Sequence, residues 1–140
     1  MIHQKPRRSF AIRFFGFPGI ALLLAAFAVP QAKAETANLS GFWMGAGMVL
    51  LSNSGPEPAK CRAQFFQNGP DLAVQAQCAT PSGSTEQAAR LREVAANTYA
   101  GTFFNPEFKI AGTIQITVRD NRQYVTLWSE AGTASLTFWR

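Results

Sequence analysis

The sequence predicts an all-β fold: a small antiparallel up-and-down barrel of about eight strands with one disulfide, behind a cleaved signal peptide. Three observations carry this. Apolar and polar residues alternate with period two across short runs joined by turn-forming residues. Registering successive runs as hairpins keeps one apolar face inward from hairpin to hairpin. The chain's two cysteines, Cys61 and Cys78, fall on that face, opposite each other. Eight antiparallel strands with one apolar face close most economically into a barrel, which removes exposed edges. An open sandwich is the alternative.

Residues 1–34 read as the signal peptide and 35–140 as the single barrel domain. Arg7, Arg8 and Arg13 form a basic start, and an apolar stretch runs from Ile20 to Val29. Pro30 breaks it, and Ala32 and Ala34 supply small residues before a cut at Glu35. The apolar run is short for a spanning helix, which needs about 20 residues. Arg7-Arg8-Ser9-Phe10 resembles a twin-arginine export signal, and ordinary Sec export fits equally. The expected location is periplasmic or secreted. An oxidising compartment makes the even cysteine pair a disulfide.

The whole chain carries 13 Lys+Arg against 8 Asp+Glu. Five of those cations (Lys5, Arg7, Arg8, Arg13, Lys33) lie in the leader, and from Glu35 onward eight cations meet eight acids. A neutral domain lacks the clustered positive surface that nucleic acid binding needs. The sole histidine, His3, is also in the leader, so the domain cannot run a Ser–His or Cys–His mechanism. A His-ligated zinc site is excluded likewise, and no metal or cofactor is expected.

Gly41–Leu51 opens the strands, and Ser52–Ala59, with two prolines, reads as a loop. Lys60–Gln67 and Asp71–Cys78 form a hairpin around Asn68-Gly69-Pro70. Facing Cys61 with Cys78 also faces Ala63 with Ala76 and Phe65 with Val74, all on one side. The crosslink closes a loop of about 18 residues and stabilises by roughly 3 kcal/mol. Ala79–Ser84 turns the chain. Thr85–Val94 has helix-forming residues, but its short link to Tyr99–Phe104 favours a hairpin strand. Phe108–Arg119 alternates most cleanly, with Phe108, Ile110, Ile114, Ile116 and Val118 on the inner side. After the turn at Asp120-Asn121, Ile116 faces Val125 and Ile114 faces Leu127. After Ser129–Gly132, Ala134, Leu136 and Phe138 continue the inner face.

A transmembrane barrel would need an apolar outer band and strands of about 9–11 residues. Lys109, Gln115 and Arg119 occupy one face of the clearest strand, and most runs look shorter than that. No membrane span is expected after processing.

Gly41-Phe42-Trp43 resembles the Gly-x-Trp opening of lipocalin-like (calycin) barrels. In those folds the Trp closes one end and an Arg from the last strand packs over it. The resemblance implies that role for Trp43 and Arg140. Gly41–Gly47, Lys60-Cys61-Arg62-Ala63, Cys78 and Ala134–Thr137 together resemble small exported alphaproteobacterial proteins with no assigned function. The barrel inhibitors of secreted metalloproteases are a more distant look-alike. They share the size class, the opening and one disulfide. The stretch from Trp43 to Cys61 is longer here, and Glu35–Leu39 has no distinctive counterpart to their inhibitory tail.

Gly45-Ala46-Gly47 is not followed by a helix, so these glycines serve strand curvature or a close aromatic neighbour rather than phosphate binding. Arg90 and Arg92 share a strand face and form a candidate anion or polymer contact, or a solvated face balanced by Glu86 and Glu93. Phe66, Tyr124, Trp128 and Trp139 fall on the outer face and form a candidate partner surface. The carboxylate pairs Glu86/Glu93 and Asp71/Glu107 have no spacing that places them in one pocket, and no catalytic residue is assigned. The expected function is non-enzymatic binding of a small apolar ligand or an envelope partner. Metalloprotease inhibition and a ligand-free structural role are the alternatives.

Overall fold

In the computed structural model the residues described are 38–140, with Gly16, Gly19 and residues 27–29. The expected leader and its cleavage site lie outside the continuous described segment. Eight strands follow in order: β1 Gly41–Leu51, β2 Gly55–Asn68, β3 Asp71–Thr80, β4 Gly83–Ala95, β5 Thr98–Asn105, β6 Ile110–Arg119, β7 Arg122–Ser129 and β8 Gly132–Trp139. Each pairs antiparallel with the next, and β1 pairs with β8 to close the barrel. Thr85–Val94 is strand, within β4.

The hairpin registers follow the inner face. Cys61 faces Cys78 and Phe65 faces Val74 across β2 and β3. Ile116 faces Val125 across β6 and β7, and Val125 faces Leu136 across β7 and β8. The disulfide joins Cys61 to Cys78 with their Cα atoms 4.1 Å apart. That is the close spacing of directly opposed residues in an antiparallel ladder.

Three expectations need correction. The loop over Ser52–Ala59 shrinks to a turn at 52–54, because Gly55–Ala59 pairs with β1, Pro56 opposite Leu50 and Pro58 opposite Met48. The β2–β3 pairing ends at Lys60 and Ala79, so this part of β2 has a paired neighbour on one side. Proline is tolerated there because its missing N–H can face the unpaired side. Phe108 and Lys109 precede β6 rather than opening it. Lys109 has φ of 53°, and Phe108 is 58% exposed instead of lining the core. Strand length, finally, does not argue against a membrane barrel, since five strands have 10 to 14 residues. The polar outward positions carry that point: Gln75, Gln77, Glu86, Arg90, Arg92, Gln115 and Arg119 lie where a lipid-facing band would be apolar. No helix among the described residues is long and apolar enough to cross a membrane.

Side-chain size along the barrel divides its interior. Towards one end the inward residues are large: Trp43, Phe65, Leu72, Tyr99, Ile116 and Phe138 are all buried. Trp43 packs edge-on to Phe65, and Phe65 edge-on to Phe138, with ring centroids 6.0 and 5.9 Å apart. Towards the other end the inward positions include Cys78, Thr80, Thr85, Ser129, Gly132 and Ala134. An eight-stranded barrel is just wide enough for side chains to fill or for one small ligand to occupy. Bulk fills the first end, and small residues leave the second hollow.

Candidate functional site

The closed end is built around the lead into β1. Leu39 is buried there, and its N–H donates to Gln67 Oε1 at 2.8 Å. Trp43 Nε1 donates to the Leu39 carbonyl at 2.8 Å. Arg140 lies over Trp43, its Cζ 4.3 Å from the ring centroid. Its Nη1 and Nη2 donate to the carbonyls of Ser40 and Asn38 at 3.0 and 2.8 Å. Gln67 Nε2 donates to the Tyr99 hydroxyl at 2.9 Å. Burial, and then the neighbouring Glu93 carboxylate, push the Tyr99 pKa above its ordinary value. These polar groups are satisfied across strands, and the interior behind them is sealed; buried Gln123, at the same end, is the exception.

The open end is a cup of about 640 Å³. That lies within the range of small-molecule sites, about 300–1,000 Å³. Its wall includes Val49, Phe103, Ile110, Leu127 and Leu136, and its rim Ser52, Asn53, Ser82, Glu107 and Ser129. Cys78 lies in its lining, and a void of about 30 Å³ walled by Phe65, Val74 and Ile116 continues towards the sealed end. The rim is cross-tied. Ser52 N–H and Oγ donate to the carbonyls of Ala131 and Glu130 at 3.0 and 3.1 Å, joining the turns after β1 and β7. Asn105 Oδ1 accepts from the N–H groups of Glu107 and Phe108 at 3.0 and 3.1 Å, which shapes the turn before β6.

One ionisable side chain points into this cup from a strand. Glu57, inward on β2, accepts a hydrogen bond at Oε1 from the Ser82 hydroxyl. Its Oε2 is buried without a protein partner. Sequence reasoning missed Glu57 because two prolines disguised its strand. The parity of β2 would have found it, since 57, 59, 61, 63 and 65 share one face.

The sequence-derived surface residues occupy other places. Trp43 and Arg140 meet at the closed end, as described. Phe66, Trp128 and Trp139 are exposed on β2, β7 and β8, and Tyr124 is half-buried under the Arg119 guanidinium at 4.5 Å. Trp139 pairs with Met44 of β1 and lies two strand positions from Tyr124's partner Thr137. Phe66 sits beyond β1 on β2, away from this pair, and Trp128 lies four residues along β7. Trp139 instead continues an outward stripe along β1 that the sequence reading did not single out: Phe42, Met44, Met48 and Leu50, 76% and 56% exposed for the first two. Arg90 and Arg92 project outward from β4, and Arg92 lies 3.9 Å from Asp71 in an exposed ion pair. Such a pair contributes little to stability.

No protein-family model matches the chain, and no curated protein sequence matches it. Solved structures do. The chain is similar in fold to a redesigned β-barrel, mFAP1, bound to DFHBI, with a TM-score of 0.63 and 17% identity over 73% of this chain and 94% of that one. It is also similar to a de novo designed fluorescence-activating β-barrel, with a TM-score of 0.57 and 13% identity over 72% of this chain and 92% of that one. At such identities the likeness establishes the fold alone. That fold is a small closed antiparallel barrel of eight strands.

Proposed function

We propose that this protein is an exported, non-enzymatic binding module that holds one small, mainly apolar ligand in the open cup. The single observation that carries the reading is the division of the interior. One end is filled with interlocked aromatic rings, while the other encloses about 640 Å³ with largely apolar walls and a polar rim. A barrel that served only as a scaffold would gain stability from filling that space, because unfilled apolar volume costs contacts. The dye complex of mFAP1 supports the reading by showing that a barrel of this fold accommodates a small molecule. Export is supported by the leader pattern and by a disulfide suited to an oxidising compartment.

The decisive experiment is titration of the purified protein with an environment-sensitive apolar dye, beside the variant Ala134→Phe. Ala134 lines the cup, so the larger ring should fill it. Saturable binding by the wild type, abolished in a variant that stays folded, is the expected result. Equal dye response from both proteins would show that the dye sits elsewhere.

A second reading draws on the β1 stripe. Exposed apolar patches mark partner sites, and Phe42, Met44 and Trp139 offer one on the barrel wall. Replacing Met44 and Trp139 with Ser should abolish self-association in light scattering if the stripe joins two copies. The inhibitor reading gains no support: from residue 38 the lead into β1 packs onto the barrel, with Leu39 buried.

A further inference from the structure

We infer that the cup selects an amphipathic cation, an apolar body ending in a protonated amine, with Glu57 as its anchor. This rests on the binding reading above and names the chemical class of the ligand. Among the described residues, the ionisable side chains in the cup lining are Glu57 and Glu107, and no Lys or Arg lines it. Glu57 is the better placed of the two. It points inward from β2, while Glu107 is exposed in the turn before β6. Ser82 occupies one Glu57 oxygen, and the other, Oε2, is closed off from solvent with no partner in the protein. A buried acceptor in that condition is unfavourable until a donor reaches it. A carboxylate is met best by a charged donor. Below Glu57 the lining is mostly apolar, with Ile110, Leu127 and Leu136 beside the uncharged Thr80, Thr85 and Gln87, so a tail that follows the amine inward meets no second charge.

The surrounding charge has the same sign. The turn between β7 and β8 adds Glu130, and Lys109 is the one cation in the four described rim turns and does not line the cup. Arg92, Arg119, Arg122 and Arg140 lie towards the sealed end. An anionic headgroup in the cup would meet the carboxylates of Glu57 and Glu107, with Lys109 outside the lining as the single rim cation. A cation would meet both, in a site whose partial burial strengthens the attraction.

The test compares three ligands that share one tail, dodecylamine, dodecanol and dodecanoate, by calorimetric titration at neutral pH and below micelle-forming concentrations. The amine is expected to bind about ten-fold tighter than the alcohol, the scale of one charged hydrogen bond, and the carboxylate most weakly. Glu57→Gln should bring the amine down to the alcohol's affinity and leave the alcohol unchanged, which also shows that the variant is folded. Dodecanoate binding as well as the amine would overturn the inference, and so would an amine preference that survives Glu57→Gln. The wild-type order of affinities decides the matter even if that variant does not fold. Alcohol binding without any preference for the amine defeats this inference alone, whereas failure of all three ligands removes the cup reading with it.

Discussion

The guanidinium of Arg140 lies 4.3 Å over the indole of Trp43 and donates to the carbonyls of Ser40 and Asn38. The last residue of the chain thereby clamps the segment that leads into the first strand. β8 pairs with β1 only from Met44 onward, so this clamp continues the closure beyond the ladder. Arg140→Ala should lower stability by about 1–2 kcal/mol, from one stacking contact and two charged hydrogen bonds at a partly exposed site. Arg140→Lys should not recover it, since an ammonium cannot reproduce the planar fork. Urea unfolding followed by tryptophan fluorescence measures both. A lysine variant as stable as the wild type would refute the clamp.

Gly45 and Gly47 point inward on β1 for different reasons. A Cβ on Gly45 would lie 2.5 Å from the Phe138 ring, whereas one on Gly47 would lie 1.9 Å from the carbonyl oxygen of Ser135. The first neighbour is a side chain and can be trimmed. The second is backbone of the closing strand. Gly45→Ala should therefore couple to Phe138→Leu, the double variant being about 1 kcal/mol better than the sum of the single losses. Gly47→Ala should cost more than about 3 kcal/mol or prevent folding, with no rescue from Phe138→Leu. Equal rescue of both variants in denaturation experiments would contradict this assignment.

Gln123 is fully buried on β7, and neither its oxygen nor its nitrogen has a partner in the protein. It lies between Val118 of β6 and Phe138 of β8. An unsatisfied buried amide costs about 1–3 kcal/mol. Gln123→Met keeps the length of the side chain and removes that cost. Its Tm should rise by several degrees, at about 4–8 °C per kcal/mol for a domain of this size. A lower Tm by calorimetry would mean that the amide is satisfied in solution.

Tyr99 makes stability depend on alkaline pH. Burial and the Glu93 carboxylate raise its pKa in the folded protein above the ordinary value of about 10. The unfolded chain then releases this proton first as pH rises. The contribution is intact below about pH 10 and is lost above it, until folded Tyr99 itself ionises. Tyr99→Phe loses the Gln67 hydrogen bond, about 1 kcal/mol at neutral pH, but should show a shallower alkaline decline. Urea midpoints across that pH range test this; parallel declines in the two proteins would sink it.

Much of the architecture was legible from residue order because a strand's side chains alternate strictly. Once Cys61 was set opposite Cys78, a slip of one residue would have turned Phe65 and Val74 outward, so the register had no freedom. The same alternation made Ile114, Ile116, Val125 and Leu136 a continuous lining. It failed at Gly55–Ala59, where two prolines imitate a loop, and at Phe108, where the pattern continued past the real start of β6. Those two misreadings hid the rim, and with it Glu57.

Residue order by itself determined which side of each strand faces inward, since that depends on local periodicity and neighbouring turns. Only the tertiary structure decided which inward positions share a level of the barrel. Phe138 of β8 lies far in sequence from Trp43 of β1 and Phe65 of β2, yet the three meet at one end, while Cys78, Ser129 and Ala134 gather small side chains at the other. Whether a barrel is solid or hollow depends on the sum of volumes at each height. That sum is set by the stagger of eight strands around the closure, a quantity no single strand contains.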